Sequence, residues 1–151
     1  MNPADHPLVA FKTSAIHGTG GFARVNLPKG KRIIEYVGPK LSKADLQEEL
    51  DAGSAYIFIL AEDNAIDGSV AWNPARFLNH SCESNGESRM VRGRIWFYAL
   101  RAIRAGEELT YNDGHGLGGY LDRPCHCGAA TCVRFRVAAK HVATLRKRHG
   151  V

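Results

Sequence analysis

Four short runs carry most of the apolar positions in this chain: VAFKTSA (9–15), RIIEYVG (32–38), AYIFIL (55–60) and RIWFYAL (94–100). They are rich in β-branched and aromatic residues and are bounded by turn formers, which predicts strands. LPKG at 27–30 and IRAGEE at 103–108 read as turns, and IDGSV at 66–70 contains the tight-turn pair Asp67-Gly68. Between the second and third runs the period changes. Leu46 and Leu50 stand at i and i+4, Ser42 can cap and Gly53 can stop, so one helix is expected with both leucines on one face. Its other face carries Asp45, Glu48, Glu49 and Asp51. A second helix is expected at about 137–147, with Val142 and Leu145 on one side and basic residues on the other. The strands do not alternate with long helices, which argues against a doubly wound parallel sheet. The expected class is mostly β, a β-rich α+β fold, with no internal repeat and no low-complexity linker.

The chain has 151 residues, 44% of them hydrophobic, which suits one cored domain, alone or with a small appendage. No apolar run reaches the roughly 18 residues of a membrane span. The start, MNPADHPLVAFK, lacks the basic and apolar regions of a secretory signal. A cytoplasmic or nuclear-type reducing compartment is the expectation, with secretion into a host left open. In such a compartment clustered cysteines bind metal more often than they form disulfides.

Net charge is +5, and its distribution says more than its size. After Asp122 no acidic residue follows, while Arg123, Arg134, Arg136, Lys140, Arg146, Lys147 and Arg148 do. This tail reads either as a solvated helix face or as a contact for nucleic acid or another polyanion. No aromatic interleaving or groove-reading motif favours specific nucleic-acid recognition.

Cys125, Cys127 and Cys132 follow a C-x-C-x4-C spacing, with Gly128 after the second. Thiolates this close on a turn can converge on one tetrahedral ion, and a glycine permits the backbone that requires. Three ligands leave the tetrahedron one short, and Cys82 is the only cysteine left to close it. Such a site would pin the C-terminal segment onto RFLNHSCESN (76–85), and four thiolates would leave no position for a catalytic water. Unrelated reduced thiols, a disulfide, and His126 as a substitute ligand are the other readings of these residues.

IHGTGGFA (16–23) is glycine-rich, but it leads into residues with no helical period, and the P-loop Lys-Ser/Thr is missing. It reads as a hairpin needing positive φ, or as backbone that approaches a ligand closely.

SAIHGTGGFA, EYVG, YIFIL with IDG after it, ARFLNHSCESN, FYALRAIRAGEELTYND and CHCGAATC come in a recognisable order. Over roughly residues 8–137 the chain resembles the SET-domain protein lysine methyltransferases with a post-SET zinc motif. The resemblance implies a fold of small sheets in which a C-terminal segment threads under a loop as a pseudoknot. It implies S-adenosylmethionine on one face and a target lysine entering through a channel from the other. It divides the chain into a SET domain at 6–113, a post-SET zinc segment at 121–137 and a basic C-terminal helix at 138–151. His17, Gly18, Thr19 and Gly20 match the glycine motif whose backbone holds the cofactor. Tyr56 matches a tyrosine near cofactor and channel. Arg76, Phe77, Asn79 and His80 match the cofactor-contacting R-F-x-N-H motif, and Phe135 the apolar residue that covers the cofactor. Cys82 matches the fourth ligand of one structural four-cysteine Zn2+ site, beside Cys125, Cys127 and Cys132. Tyr111 matches the Phe/Tyr switch, where tyrosine goes with fewer methyl groups added.

Three positions depart from the pattern. Ser84 stands where proline is usual and Pro39 where an acidic residue often follows glycine. Asp113 stands where the family has the tyrosine most tied to catalysis. The resemblance therefore implies a protein-lysine N-methyltransferase in which Tyr111, Tyr56 and Asp113 are the catalytic candidates. The alternative is a SET-like module that binds cofactor or peptide with little turnover. The implied partner is a basic protein or peptide such as a histone tail, with Glu48, Glu49 and Asp51 favouring its charge, and no membrane is involved.

Overall fold

A computed structural model describes residues 5–61 and 64–151. The described residues form ten short strands in three small sheets. The first sheet holds β1 (Val9–Thr13), β2 (Thr19–Ala23), β10 (Glu108–Tyr111) and β7 (Asn79–His80), in the order β1-β2-β10-β7. The second holds β3 (Arg32–Tyr36), β9 (Arg94–Ala99) and β8 (Gly86–Val91), in the order β3-β9-β8. The third holds β4 (Lys40–Leu41), β6 (Asn64–Asp67) and β5 (Ile57–Ala61), in the order β4-β6-β5. The four expected strands are β1, β3, β5 and β9; β1, β3 and β9 are trimmed by a residue or two at their ends, and β5 starts two residues later and ends one later than expected.

Six strands escaped the apolar pattern, and β2 shows why. Its sequence is TGGFA, and both central glycines are demanded by packing rather than by a turn. A Cβ on Gly21 would run into Leu78 and Val9, and one on Gly20 into Glu108 and Ser14. Glycine carries no hydrophobic signature, so a buried strand looked like a loop. β10 lies in ELTY and β7 is only Asn79–His80, so neither shows an alternation long enough to read.

β10 slots between β2 and β7. It runs antiparallel to β2, with Leu109 opposite Gly21, and parallel to β7, with Thr110 opposite Asn79 and Tyr111 opposite His80. This is the placement expected of a pseudoknot strand, since it ties a late segment between two early ones. Asn85 secures it: its Oδ1 accepts from Thr110 N at 2.9 Å and its Nδ2 donates to Glu108 O at 2.8 Å. The main core, including Val9, Ile33, Ile34, Tyr36, Leu78, Phe97, Ile103 and Leu109, lies where these sheets meet.

α1 (Lys43–Asp51) begins at Ser42 in a capping box with Asp45 and ends before Gly53, whose φ is +73°. Its expected two-leucine face is only half right. Leu46 is buried where the helix meets β4 and β6, but Leu50 is 46% exposed. The second helix, α2 (Val142–His149), starts later than the apolar spacing suggested, after a 3-10 turn at Ala139–His141. It anchors through Leu145, fully buried against Val133 and Val137 in a second small core. No helix among the described residues is long and apolar enough to cross a membrane.

Candidate active site

The loop between β1 and β2 is a hairpin, as one reading of the glycine stretch had it. Ser14 N donates to Gly18 O at 2.8 Å, and Gly18 sits at φ +45°, which a side chain would resist. The crest is exposed at His17 and Gly18, with open space where a Gly18 side chain would be. From below, Asn79 Nδ2 donates to His17 O at 3.1 Å, Thr19 O at 3.3 Å and Glu108 Oε1 at 2.9 Å. Glu108 Oε1 also accepts from Ser14 Oγ at 2.7 Å. One asparagine on β7 and one carboxylate on β10 thus shape the hairpin's inner edge. Glu108 and Ser14 were not among the expected site residues. The signal for Glu108 was a carboxylate inside an otherwise apolar strand.

A second group gathers around Tyr56. Its backbone is left-handed, φ +66°, a conformation that costs a non-glycine residue energy unless its surroundings enforce it. Its carbonyl accepts from Tyr36 Oη at 2.5 Å and from Gly68 N at 2.9 Å. The Arg76 guanidinium lies 5.7 Å from the Tyr56 ring centre and 4.7 Å from that of Phe77. Arg76 Nη1 donates to Ser69 O, while Arg76 Nε is buried with no partner among the described residues. The wholly buried Asn73 braces this region, bonding Val37 N and Gly68 O. Asn73 and Tyr36 are further positioning residues that sequence reasoning did not single out.

Tyr111, at the end of β10, packs edge-on against Phe97 with ring centres 4.7 Å apart. Burial, with the nearby Asp113 charge, pushes its phenol up to about 12, against the opposing pull of Arg136. It therefore stays neutral through the physiological range.

Asp113 follows two residues later, and its side chain is only 9% exposed. Its Oδ1 lies 2.9 Å from His80 Nδ1, its Oδ2 lies 3.4 Å from His115 Nε2, and Arg136 pairs with Oδ2 through both Nε and Nη2. Burial alone would raise its pKa. The close polar contacts of His115 and His80, and the charges of His80 and Arg136, reverse that and hold it well below the usual carboxylate range. Asp113 is an anion with Arg136 and His115 at Oδ2 and His80 at Oδ1; His80 Nδ1 also accepts from Asp113 N at 3.3 Å, and Oδ1 itself has no hydrogen bond among the described residues. Arg136 reads in the sequence only as part of the basic tail and His115 not at all, since nothing in their spacing ties them to Asp113.

Phe135 belongs to a different cluster. Its ring meets Tyr120 edge-on at 5.1 Å and His149 at 5.2 Å.

The four cysteines do converge. Cys82, Cys125, Cys127 and Cys132 carry free thiols whose sulfurs all lie within 4.8 Å of one another. Cys82 Sγ is 3.8 Å from Cys125 Sγ and 3.7 Å from Cys132 Sγ. A tetrahedral zinc with Zn–S bonds of about 2.3 Å separates its sulfurs by about 3.8 Å, so the residues fit the ion. Hydrogen bonds from Cys125 and His80 lower the Cys82 thiol's pKa even against burial, which favours its thiolate form. Gly128 takes φ +73° at the turn, and His126 points into solvent outside the group.

Comparison with known proteins agrees with this geometry. The family model for the SET domain matches residues 18–112, ending one residue before Asp113. A Chaetomium globosum protein named histone-lysine N-methyltransferase, H3 lysine-4 specific, is 40% identical over 139 residues. That match covers 84% of this chain and 13% of the relative. Human histone-lysine N-methyltransferase 2B is 38% identical over 137 residues, 84% of this chain and 5% of its own. The chain therefore spans only a small part of the length of these relatives. Among solved structures, a humanized mutant of the Chaetomium thermophilum Polycomb Repressive Complex 2 superposes with a TM-score of 0.62 at 31% identity. It covers 70% of this chain and 15% of that one. Pseudoknot strand, hairpin, thiol cluster and sequence identity agree, and the chain belongs to the SET domain family.

Proposed function

We propose that this chain is a protein-lysine N-methyltransferase using S-adenosylmethionine, with a histone or another basic protein as substrate. One observation carries the reading: the parallel pairing of β7 with β10 sets Asn79 and His80 beside Thr110 and Tyr111. The segment that shapes the hairpin is thereby joined to the candidate reacting phenol. The names of the relatives support the reaction class and the histone substrate. A reducing compartment, nuclear where histones are the substrate, suits the four free thiols.

The residues present fit S-adenosylmethionine. The open crest at Gly18 leaves room for a ligand, and the unpartnered Arg76 Nε beside Tyr56 and Phe77 offers a buried donor. His17, Gly18, Thr19 and Gly20 would hold the cofactor through backbone, Asn79 would fix that backbone, Asn79 and His80 would also bond the cofactor through their own backbone, and Phe135 would cover it. When bound, the cofactor supplies an electrophilic methyl group on a sulfonium. Cys82, Cys125, Cys127 and Cys132 would hold zinc in a structural role.

The incoming lysine, with an ordinary pKa of about 10.4, must be neutral to attack. A dry channel lowers that pKa by refusing the charged form. Tyr111 and Tyr56 orient the amine, and a neutral Tyr111 does so without holding it as ammonium. A free carboxylate at position 113 would favour the ammonium and slow attack. Arg136, His80 and His115 occupy that carboxylate, which removes the electrostatic objection and leaves Tyr111 to carry the phenol's role. Most of the acceleration is then positioning and electrostatics.

The expected acidic face on α1 is thinner than its composition. Asp45 is used in the cap, Glu49 accepts from Ser54 and Asp51 from Gln47. Glu48 is the exposed carboxylate left to meet a basic peptide.

The test is purified protein with S-adenosylmethionine and core histones or basic proteins, read by mass spectrometry. Methylated lysine is the expected product, lost in Tyr111→Phe. Cofactor binding with no transfer to any basic protein would make the chain a binding module instead.

A further inference from the structure

Residues 123–151 hold seven Lys and Arg and no Asp or Glu, while residues 1–122 hold thirteen and fifteen. The body of the chain is therefore net −2 and its C-terminal segment net +7. Two of the seven cations are half-buried: Arg136 pairs with Asp113, and Arg123 donates to the carbonyls of Gly116 and Gly118. The other five, Arg134, Lys140, Arg146, Lys147 and Arg148, are exposed, and of these Arg146 also donates one nitrogen to Thr131 O.

We propose that these five residues form a docking surface for the phosphate backbone of duplex DNA. The cations are displayed from a fixed platform. Leu145 roots α2 in the small core with Val133 and Val137, Gly150 closes the helix at φ +66°, and Arg146 Nη2 reaches back to Thr131 O at 3.2 Å. Arg146 and Lys147 stand on the part of α2 turned away from Leu145, and Arg148, three residues after Leu145, flanks the buried side. The helix dipole favours cations in the last turn. It gives no reason for Arg134 and Lys140, which lie before the helix, nor for the absence of any acid across the whole segment. Crowded like charges cost stability unless a polyanion neutralises them.

The aromatic residues decide between double and single strands. Single-stranded nucleic acid is gripped by free rings on which bases stack. Here Tyr120 meets Phe135 and His149 edge-on, Phe135 packs tilted against His149, and Tyr120 Oη is bonded to His149 Nε2 at 2.9 Å. Charge without a stacking platform reads a duplex by its phosphates, independent of sequence.

The experiment is a salt titration of the full, zinc-loaded chain on a fluorescent random-sequence DNA duplex, followed by anisotropy. Each phosphate contact contributes about −0.9 to the slope of log K against log salt, so contacts from all five cations give about −4.5. Lys140→Gln, Lys147→Gln and Arg148→Gln together are expected to bring the slope to about −1.8 and to weaken binding at least about tenfold at low salt. Zinc content and circular dichroism of the triple variant verify that it is folded. The proposal is overturned if the wild type shows no salt-dependent binding, or if the folded variant binds like it. Tighter binding to a single-stranded oligonucleotide or to anionic vesicles overturns it as well. The readout requires no methyl transfer, so it stands or falls apart from the enzymatic reading.

Discussion

Arg136 sets two guanidinium nitrogens on one oxygen of Asp113, with Nε at 2.9 Å. This pair joins the segment after the cysteines to the end of β10, and Asn112 Nδ2 adds a bond to Val137 O at 3.1 Å. Asp113 thus acts as a clasp on the C-terminal segment.

Asp113→Asn and Arg136→Gln should therefore fail in the same way. Each should cost about 1–2 kcal/mol, below the value for a fully buried pair because Arg136 is partly exposed. Each should loosen residues 133–138 in hydrogen exchange and weaken S-adenosylmethionine binding several-fold while kcat holds. The double variant should be little worse than either single one. A fall in kcat for Asp113→Asn, with cofactor affinity intact, would instead place the carboxylate at the reacting lysine.

The same pair sets an acid limb on stability. Asp113 titrates well below its ordinary 3.8 in the folded chain and near it when unfolded. The unfolded chain takes up the proton first as pH falls. Stability from this group is complete above about pH 5 and is lost progressively below about pH 4, by at most about 1.4 kcal/mol per pH unit. Urea unfolding between about pH 3 and 7 should show this slope, and Asp113→Asn should flatten it.

Much of this site is legible in the sequence alone, for a physical reason. Cysteine spacing restricts where four thiolates can meet, so counting is enough to pair Cys82 with its three partners. The short polar stretch 76–85 is recognisable because each of its side chains has a separate task. Arg76 spans Tyr56 and Phe77, Asn79 carries the hairpin, His80 bears on Asp113, Cys82 joins the thiols and Asn85 holds β10. The hidden part depends on contacts between distant segments. Glu108 serves Ser14, 94 residues away, and Arg136 serves Asp113; neither leaves a local pattern. β2 and β7 escape notice because glycines and a two-residue strand have no alternation to read.

Zinc removal tests the thiol cluster. The chain should carry one zinc per molecule, and Cys82→Ser should lose at least about tenfold in zinc affinity. The small core of Val133, Val137 and Leu145 packs directly against Cys82. Chelation should therefore expose residues 133–145 to hydrogen exchange before the three sheets open. If metal content stays below one and exchange is unchanged by chelator, the cysteines are unrelated thiols that lie close together.

The hydroxyl of Tyr36 supports the strained Tyr56 by donating to its carbonyl, and removing it should separate positioning from folding. In Tyr36→Phe the Tyr56 carbonyl keeps its bond from Gly68 N, so the loss in stability should be about 1 kcal/mol. Tyr56 would no longer be held in place, and a reacting group displaced by about 1 Å can cost up to 100-fold in rate. A fall in kcat of about tenfold, with cofactor affinity unchanged, is the expected result. Gly68→Ala attacks the same contact from the other side. Its new Cβ would overlap the Tyr36 ring and hydroxyl, and Tyr36 is only 3% exposed with no room to retreat. That variant should lose about 1–3 kcal/mol as well as activity. If Tyr36→Phe keeps full kcat, Tyr56 does not depend on this bond, and its left-handed backbone must be maintained by Gly68 and Arg76 alone.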